Sequence, residues 1–254
     1  MVTIENLSIS YSGVNGSLPA LDRFTATFGD GKVAAILGPS GCGKTSLLNV
    51  VAGLKKPSAG AVSIDGTPIN GVRKGTAIIF QDFGLLPWKT AEANVELPLL
   101  IDKVPAKERK ERVRAILGEF GLKDFARYYP GQLSGGMKQR IAVSRSLVSS
   151  PNLLLMDEPF SSLDALSRED AQNFLLVLHR KRPLAVVVVT HSIEEAAFLA
   201  DDIFIIKGRN PGGLAARIQN SLRVSEKSFR NSPQFQETCG AIRKIMEAPD
   251  GQTP

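Results

Sequence analysis

The sequence predicts an α/β fold with a mostly parallel sheet at its centre. Three short apolar runs carry this prediction, at Val33–Leu37, 153–156 and 185–189. Each run is followed at once by small or polar residues and then by a helical pattern, as in a doubly wound sheet. Because ligands bind at the carboxyl ends of the strands in such sheets, we expect chemistry just after each run. Those positions are residues 38–45, 157–158 and 190–191.

The chain before the first run predicts a different kind of sheet. Residues 2–10 alternate between apolar and polar side chains, and residues 61–66 have the pattern of a strand that runs into a turn. We therefore expect an N-terminal antiparallel β subdomain packed against the parallel core.

A helical insertion is predicted at about residues 87–150. Four apolar residues follow the spacing i, i+3, i+4, i+7: Val113, Ile116, Leu117 and Phe120. Gly121 is a suitable stop for this helix. The charge run at 107–112 mixes acids with bases and contains no aromatic residue, which favours a solvated helix face over a nucleic-acid contact.

The C-terminal part of the chain has a weaker pattern. After Asn210 no clear periodicity continues, and the polar residues 248–254 are expected to fray. No internal repeat is present. We therefore divide the chain into one cassette at residues 1–210 and an extension at 211–254 to which the sequence assigns no role.

Composition excludes several classes of protein. With 43% hydrophobic and 22% charged residues, the 254-residue chain is neither collagenous nor wholly disordered. A net charge of +6 suits an anionic ligand, nucleic acid or an acidic membrane surface, without choosing among them. Two cysteines, Cys42 and Cys239, are too few for a disulfide framework and predict a reduced, intracellular chain. We expect no secretion signal and no membrane span, because the apolar runs are far shorter than about 20 residues.

Residues 38–45 satisfy the phosphate-loop pattern G-x-x-x-x-G-K-[ST], with a strand before it and a helix after it. Its glycines let backbone N–H groups turn inward around a phosphate, and the helix dipole points at the same oxygens. Lys44 would supply charge to the β- and γ-phosphates, and Thr45 would offer its hydroxyl to Mg²⁺. The predicted nucleotide-binding residues are Gly38, Pro39, Ser40, Gly41, Cys42, Gly43, Lys44, Thr45 and Ser46. Cys42 lies beside a helix N-terminus, which is expected to lower the pKa of its thiol and make it reactive.

Two acids, Asp157 and Glu158, follow the second apolar run. Asp157 would hold Mg²⁺ through a water molecule, as in phosphate-loop enzymes. Glu158 would act as a general base toward the attacking water. Such a pair after a strand often forms only a helix cap or an ion pair. The presence of the phosphate loop favours the catalytic interpretation.

A second anion site is predicted at the start of another helix. Ser134 is a suitable N-cap, and Gly135 and Gly136 leave the first helical amides uncovered. On its own this segment would also fit an ordinary capped helix.

Taken in chain order, these motifs resemble the ATP-binding subunits of ABC transporters. The matching features are the phosphate loop, Gln81, residues 133–136, residues 157–158, residues 161–164 and His191. The resemblance covers about residues 1–210 and implies a P-loop NTPase (RecA-like) core with MgATP as its ligand. It also implies a head-to-tail homodimer that sandwiches two ATP molecules. Each nucleotide would meet the phosphate loop of one copy and Ser134, Gly135 and Gly136 of the other.

The resemblance implies roles for four further residues. Gln81 would lie near Mg²⁺ and the attacking water and would link the site to the permease. Asp164 would couple the two sites across the dimer, and His191 would contact the γ-phosphate. Tyr11 lies where the family often stacks an aromatic ring on adenine, although a tyrosine beside a strand is just as often a packing residue.

A narrower resemblance concerns residues 80–88 and Met137, which are similar to the nitrate, sulfonate and taurine type of bacterial importer. That group also includes systems for pyrimidine vitamin precursors. The resemblance implies two transmembrane permease subunits, a periplasmic solute-binding protein as an indirect partner, and no nucleic acid. It places the chain peripherally at the cytoplasmic face of the bacterial inner membrane. Trp88 would either brace the permease or pack in the core.

The alternative is a soluble ABC-type ATPase that acts on nucleic acid or the ribosome. That class carries a long coiled-coil insertion or two cassettes, and this chain has neither. An inactive nucleotide switch would be expected to lack Glu158 or His191. The chain departs from the family pattern at Lys138, Ser162 and Ser192, and Ser192 leaves open how the turn at His191 is hydrogen-bonded.

Overall fold

Two β-sheets and seven α-helices make up the part of the protein that its computed structural model describes, residues 1–13, 16–220 and 227–249. The strands are β1 (Val2–Gly13), β2 (Gly16–Phe28), β3 (Val33–Leu37), β4 (Ala59–Ile64), β5 (Thr67–Pro68), β6 (Thr76–Ile79), β7 (Leu153–Asp157), β8 (Ala185–Thr190), β9 (Asp202–Lys207) and β10 (Gly213–Gln219). The helices are α1 (Lys44–Val51), α2 (Ala91–Ile101), α3 (Ala106–Glu119), α4 (Gly135–Leu147), α5 (Ala165–Lys181), α6 (Ile193–Leu199) and α7 (Pro233–Glu247). Short 3₁₀ turns occur at Lys123–Phe125, Pro130–Gln132 and Lys227–Asn231.

The larger sheet has the strand order β10-β9-β3-β8-β7-β6 and is parallel except for the edge strand β10. The three predicted runs form β3, β7 and β8, and every residue of these strands is buried. Leu37 lies opposite Thr190, and Asp157 lies opposite Val189. The carboxyl ends of the three strands therefore meet at one edge of the sheet, as predicted.

A separate hydrophobic core covers each face of this sheet, because successive side chains of a strand point to opposite faces. The core under the helical region includes Ala35, Leu37, Val186 and Val188. The core under α1 and the smaller sheet includes Ala34, Ile36, Val187 and Val189. Because both faces of the sheet are covered, its central strands need continuous apolar runs and not an alternation of apolar and polar residues. The three runs in the sequence have this pattern.

The smaller sheet has the order β2-β1-β4-β5 and is antiparallel. The prediction of an N-terminal antiparallel sheet is therefore confirmed. Ile4, Leu7 and Ile9 on β1 are fully buried against the second core. The longest partner of β1 is β2, a strand that the sequence pattern did not single out.

Helices α2, α3 and α4 lie between β6 and β7, where the helical insertion was predicted. In α3 the apolar face formed by Val113, Ile116 and Leu117 is buried, and the charge run at 107–112 is mostly exposed. The chain leaves α3 at Gly121, whose φ of 69° is the left-handed conformation expected after a helix. Among residues 1–13, 16–220 and 227–249, no helix is long and apolar enough to cross a bilayer.

The chain beyond residue 210 is more ordered than its pattern indicated. Strand β10 pairs with β9, so the larger sheet continues past the predicted end of the cassette. Helix α7 begins at Pro233 after the N-cap Ser232 and buries Phe235, Cys239 and Ile242. The predicted fraying at 248–254 falls largely on residues 250–254, which lie outside the described residues.

Candidate active site

The phosphate loop leads from β3 into α1, at the carboxyl edge of the larger sheet. Gly43, the N-cap of α1, has a φ of 96°, and a Cβ there would lie 2.6 Å from the carbonyl oxygen of Ala20. Only glycine fits this left-handed position against the neighbouring strand. Lys44 is 5% exposed and its Nζ donates hydrogen bonds to the carbonyl oxygens of Gly38 and Pro39, at 2.8 and 2.9 Å. The ammonium group of Lys44 therefore lies inside the loop that is predicted to bind the phosphates.

Thr45 and Asp157 meet beside this loop. The Thr45 hydroxyl donates a hydrogen bond to Oδ1 of Asp157 at 3.2 Å, which joins the start of α1 to the end of β7. Burial raises the pKa of the Asp157 carboxyl, and the charge of Glu158 adds to this effect, while the Thr45 hydrogen bond and Lys44 oppose it. Desolvation by the protein thus disfavours a charge on Asp157 unless a cation lies beside it.

This pair fits Mg²⁺. A hydroxyl and a carboxylate supply the hard oxygen donors that Mg²⁺ prefers, and this ion takes one or two carboxylates together with substrate phosphates. Within the described part of the chain, no cluster of three or more His, Cys, Asp and Glu side chains could hold a metal. The oxygen atoms of Thr45 and Asp157 would need phosphate oxygens to complete a Mg²⁺ site.

Glu158 and His191 form the second pair of the site. Oε2 of Glu158 lies 3.1 Å from Nδ1 of His191, and the two side chains are 19% and 54% exposed. The backbone of Glu158 has a φ of 44°, a conformation that few non-glycine residues adopt and that often marks functional sites. Its amide donates to the carbonyl oxygen of Val189, and its own carbonyl oxygen accepts from the Ser161 hydroxyl. The chain thus holds a partly exposed carboxylate in a fixed place at the edge of the sheet.

The structure shows how Ser192 is hydrogen-bonded in the turn at His191, which the sequence left open. Its hydroxyl caps α6 by accepting a hydrogen bond from the amide of Glu195, at 3.2 Å. Its own amide donates to the Thr190 hydroxyl at 3.0 Å. Serine therefore performs the capping role at this position.

Ser134 caps α4, as predicted, by accepting a hydrogen bond from the amide of Met137. It is exposed, and Gly135 and Gly136 beside it are half-buried. In the described residues, no hydrogen bond joins these three residues to the phosphate loop of the same chain. The structure therefore brings together the groups from β3, β7 and β8 but leaves the predicted second anion site facing outward.

Gln81 is exposed in the turn that follows β6. Arg145 of α4 fixes this turn by donating to the carbonyl oxygens of Phe83 and Gly84, at 2.7 and 2.6 Å. Trp88, further along the same connection, is 71% exposed, so the interpretation of Trp88 as a core residue is wrong. The sequence could not distinguish the two environments because Trp occurs in both.

Tyr11 and Asp164 are two further residues to which the resemblance assigns roles. The Tyr11 hydroxyl is hydrogen-bonded to the buried Ser46 hydroxyl at 2.8 Å, and Nζ of Lys55 lies 3.8 Å from the ring centroid. Asp164 is the N-cap of α5 and accepts a hydrogen bond from the amide of Ser167, which lowers the pKa of its exposed carboxyl. Adenine stacking by Tyr11 and cross-dimer coupling by Asp164 stay predictions.

The prediction of a reactive Cys42 is wrong. Its side chain is completely buried, and desolvation raises the pKa of the thiol despite the opposing charge of Lys44. The sequence argument considered only the helix N-terminus. It did not foresee that the sulfur would lie against Gly38, where an added Cβ would come within 2.8 Å of Sγ.

Gly212 is a residue near the site that the sequence pattern did not indicate. It lies behind the phosphate loop, and a Cβ there would come within 2.2 Å of the Cys42 carbonyl oxygen. Its amide donates to the carbonyl oxygen of Ala20, and its own carbonyl oxygen accepts from the amide of Asp22. Residues beyond 210 therefore support the phosphate loop directly, although nothing local to Gly212 indicates this contact.

A phosphate loop between a parallel strand and a helix, beside an acid-ended neighbouring strand, defines the class of phosphate-loop nucleotide hydrolases. The family model for the ABC transporter matches residues 21–161. The chain belongs to the ABC transporter family.

Comparisons with individual proteins agree with the family. The taurine import ATP-binding protein TauB of Yersinia pestis bv. Antiqua (strain Antiqua) is 37% identical over 247 residues, covering 97% of this chain and 92% of that protein. The protein of the same name from Pseudomonas entomophila (strain L48) is 38% identical over 244 residues, covering 94% and 93%. The dimeric post-hydrolysis structure of the ATP-binding cassette MJ0796 bound to ADP and Pi superimposes with a TM-score of 0.75 at 33% identity, covering 87% of this chain and 99% of that one.

These similarities confirm the P-loop NTPase fold and the predicted class. The protein is an ATP-binding and ATP-hydrolysing subunit of a bacterial ABC transporter of the importer type. The alternative of a soluble ATPase that acts on nucleic acid or the ribosome is not favoured.

Proposed function

We propose that two copies of this chain clamp two MgATP molecules, hydrolyse them, and so drive uptake of a small solute through two separate membrane subunits. The observation that carries this proposal is the meeting of Lys44, the Thr45–Asp157 pair and the Glu158–His191 pair at one edge of the sheet. Phosphoryl transfer needs positioning and charge stabilisation more than covalent chemistry, and these groups supply both.

Binding of the triphosphate would use the groups nearest the loop. Lys44 would exchange its hydrogen bonds with the loop carbonyl groups for contacts with the β- and γ-phosphates, and the amides at the start of α1 would donate to the same oxygens. Thr45 and Asp157 would hold Mg²⁺, directly and through water respectively. The ion would neutralise charge on the phosphate oxygens.

Hydrolysis would use the second pair. The carboxylate of Glu158 would take a proton from a water molecule while the water oxygen bonds to the γ-phosphorus and the bond to the ADP oxygen breaks. His191, 3.1 Å from Glu158, would orient that carboxylate and contact the γ-phosphate. Gln81, at the end of the neighbouring strand β6, would help to position the water.

The second copy would complete each site. Ser134, Gly135 and Gly136 form a capped but outward-facing helix start, and such a start favours an anion. Docked on the γ-phosphate of the other copy, it would exclude water and close the site. Asp164, exposed at the start of α5, would lie between the two sites.

The membrane subunits would dock where the helical region meets the sheet. A cleft of about 420 Å³ lies there, lined by Phe80, Pro98, Ile101 and Arg145 among others. Trp88 and Ile101 are 71% and 72% exposed, and exposed apolar groups of this size favour a partner surface. Docking there would hold the chain peripherally at the cytoplasmic face of the bacterial inner membrane.

The solute class can be proposed from the group of importers that the chain resembles. We propose a small solute of the nitrate, sulfonate, taurine or pyrimidine-precursor type, because residues 80–88 and Met137 resemble this group of importers and the two relatives are taurine import proteins by name. A periplasmic binding protein would deliver the solute to the permease, so it would be only an indirect partner of this chain.

The test is to co-express the tagged chain with the membrane subunits encoded beside it and to reconstitute the purified complex with its binding protein in vesicles. We expect a multispanning subunit to co-purify and radiolabelled taurine to enter the vesicles only when ATP is on the side of this chain. Labelled nitrate and an alkanesulfonate serve as comparison solutes. Co-purification of nucleic acid or ribosomes without a membrane subunit would overturn the proposal.

A further inference from the structure

Glu195 is a buried acid near the active site, and the proposed mechanism gives this residue no role. It lies in the first turn of α6 and is only 6% exposed. Burial raises the pKa of its carboxyl against the opposing effects of Thr190 and Arg168. Burying a carboxylate costs free energy unless the group is paired or hydrogen-bonded, so the contacts of Glu195 indicate its role.

One oxygen of Glu195 fixes the turn that carries His191. The Thr190 hydroxyl donates to Oε2 of Glu195 at 2.6 Å and accepts from the amide of Ser192 at 3.0 Å. The amide of Glu195 in turn donates to the Ser192 hydroxyl at 3.2 Å. Both residues that flank His191 are therefore held by hydrogen bonds that lead back to Glu195.

The other oxygen of Glu195 faces the loop that follows Glu158. Nε of Arg168 lies 4.0 Å from Oε1 of Glu195. The same guanidinium donates to the carbonyl oxygens of Phe160 and Leu163, at 3.3 and 2.9 Å. One carboxylate thus lies between the turn at His191 and the loop that runs from Glu158 toward Asp164.

From these contacts we infer that Glu195 is a positioning residue, which fixes the turn that carries His191 and so holds His191 against Glu158. The inference rests on the proposed roles of Glu158 and His191. The His191 side chain is more than half exposed, so packing around the ring does not fix it and the backbone must do so. Glu195 supplies that constraint without touching the nucleotide.

The first test compares Glu195→Ala with Glu195→Gln. Glu195→Ala removes the acceptor of the Thr190 hydrogen bond, and kcat for ATP is expected to fall about tenfold or more, since small misplacements in a site have effects of this size. KM for ATP is expected to change by no more than about twofold, because the phosphate loop is untouched. Glu195→Gln keeps an oxygen that accepts from Thr190 and is expected to restore most of kcat. The control Glu237→Ala removes an exposed carboxylate on α7 and is expected to leave both constants unchanged.

The second test is a double-mutant cycle with His191→Ala. If Glu195 acts through His191, Glu195→Ala is expected to cause no further loss of kcat once His191 is gone. Losses that multiply would overturn the inference, and so would a Glu195→Ala variant with the kcat of the parent protein. Thr190→Val, which removes the same hydrogen bond with little change of shape, repeats the cycle if Glu195→Ala does not fold. Full turnover by His191→Ala alone would overturn the proposed role of His191, and the inference with it.

Discussion

Glu158 and His191 face each other across the ends of two adjacent strands, with 3.1 Å between Oε2 and Nδ1. Contacts between the strands and hydrogen bonds within each turn both contribute to this position. Glu158 is held by the carbonyl group of Val189 and the hydroxyl of Ser161, and His191 follows β8 directly. The register of the sheet therefore brings the candidate base and its partner together, and hydrogen bonds in the two turns hold them there.

Glu158→Gln is expected to lower ATP turnover by about 100-fold or more, because an amide cannot take up the proton that a general base must accept. ATP binding is expected to persist, since the phosphate loop is unchanged, and an ATP-bound dimer is expected to accumulate. Phosphate release and size-exclusion chromatography with MgATP measure the two effects. Glu111→Gln, at an exposed position of α3, is the control. Turnover near the parent rate in Glu158→Gln would remove Glu158 from this role.

Lys44→Ala is expected to raise the Kd for ATP by about 10- to 100-fold, the effect of losing charge-assisted hydrogen bonds to phosphate. Titration calorimetry with ATP measures the affinity, and thermal unfolding checks that the loop survives the loss of its contacts with Gly38 and Pro39. Lys181→Ala removes an exposed lysine of α5 and is the matched control. An unchanged Kd would show that the ammonium group does not anchor the nucleotide.

Cys42 is expected to resist alkylation in the native protein. Its raised pKa lowers the thiolate fraction at neutral pH, and burial also blocks the reagent. Labelling with iodoacetamide, followed by mass spectrometry, is expected to be at least ~10-fold slower in native than in urea-unfolded protein. Cys239, whose pKa burial raises to about 11, is expected to behave alike and provides an internal comparison. Fast labelling of Cys42 that MgATP prevents would contradict this prediction.

Gly212→Ala is expected to disturb the phosphate loop from behind. The added Cβ would lie 2.2 Å from the Cys42 carbonyl oxygen, so one of the two backbone segments must move. We expect the free energy of unfolding to fall by about 1–3 kcal/mol, as in other overpacked sites, together with weaker ATP binding. Gly213→Ala is the control because a Cβ there meets no atom within 4 Å. Equal stability of the two variants in urea would contradict the prediction.

Trp88→Ala is expected to weaken binding to the membrane subunits while leaving the ATPase rate of the isolated chain unchanged. Trp88 is highly exposed and belongs to no core, so its removal affects a surface contact and not the fold. Co-purification of the complex in detergent measures the loss. Val72→Ala, which alters a side chain of similar exposure in the connection between β5 and β6, is the control. Retention of the complex at parental yield would place the membrane contact elsewhere.

The sequence could predict those parts of the site that depend on local patterns. The phosphate loop, the capped helix at Ser134 and the acids that end β7 are each encoded within a few consecutive residues. The three buried strands were recognisable because both faces of a covered parallel sheet require apolar side chains. Their shared edge then placed Gly38, Asp157 and His191 close together.

What the sequence could not predict depends on contacts between distant segments. Gly212 meets Cys42, and Glu195 lies near Arg168 only because the sheet and its helices bring them together. The burial of Cys42 has the same origin, and it reversed the predicted direction of the thiol pKa shift. Strand β9 and helix α7, in contrast, carry apolar residues at suitable spacing, so the sequence pattern after residue 200 does indicate these two elements.

In the proposed complex, helix α4 would join two parts of the molecule that contact different partners. The helix begins directly after its N-cap, Ser134. Near its other end, Arg145 donates hydrogen bonds to the carbonyl oxygens of Phe83 and Gly84, in the turn that contains Gln81. Thirteen residues of continuous helix span about 20 Å and do not bend easily. In the proposed complex α4 would therefore act as a rigid rod, and a movement of the turn that would contact the permease would be transmitted to the end that would meet the other copy's nucleotide.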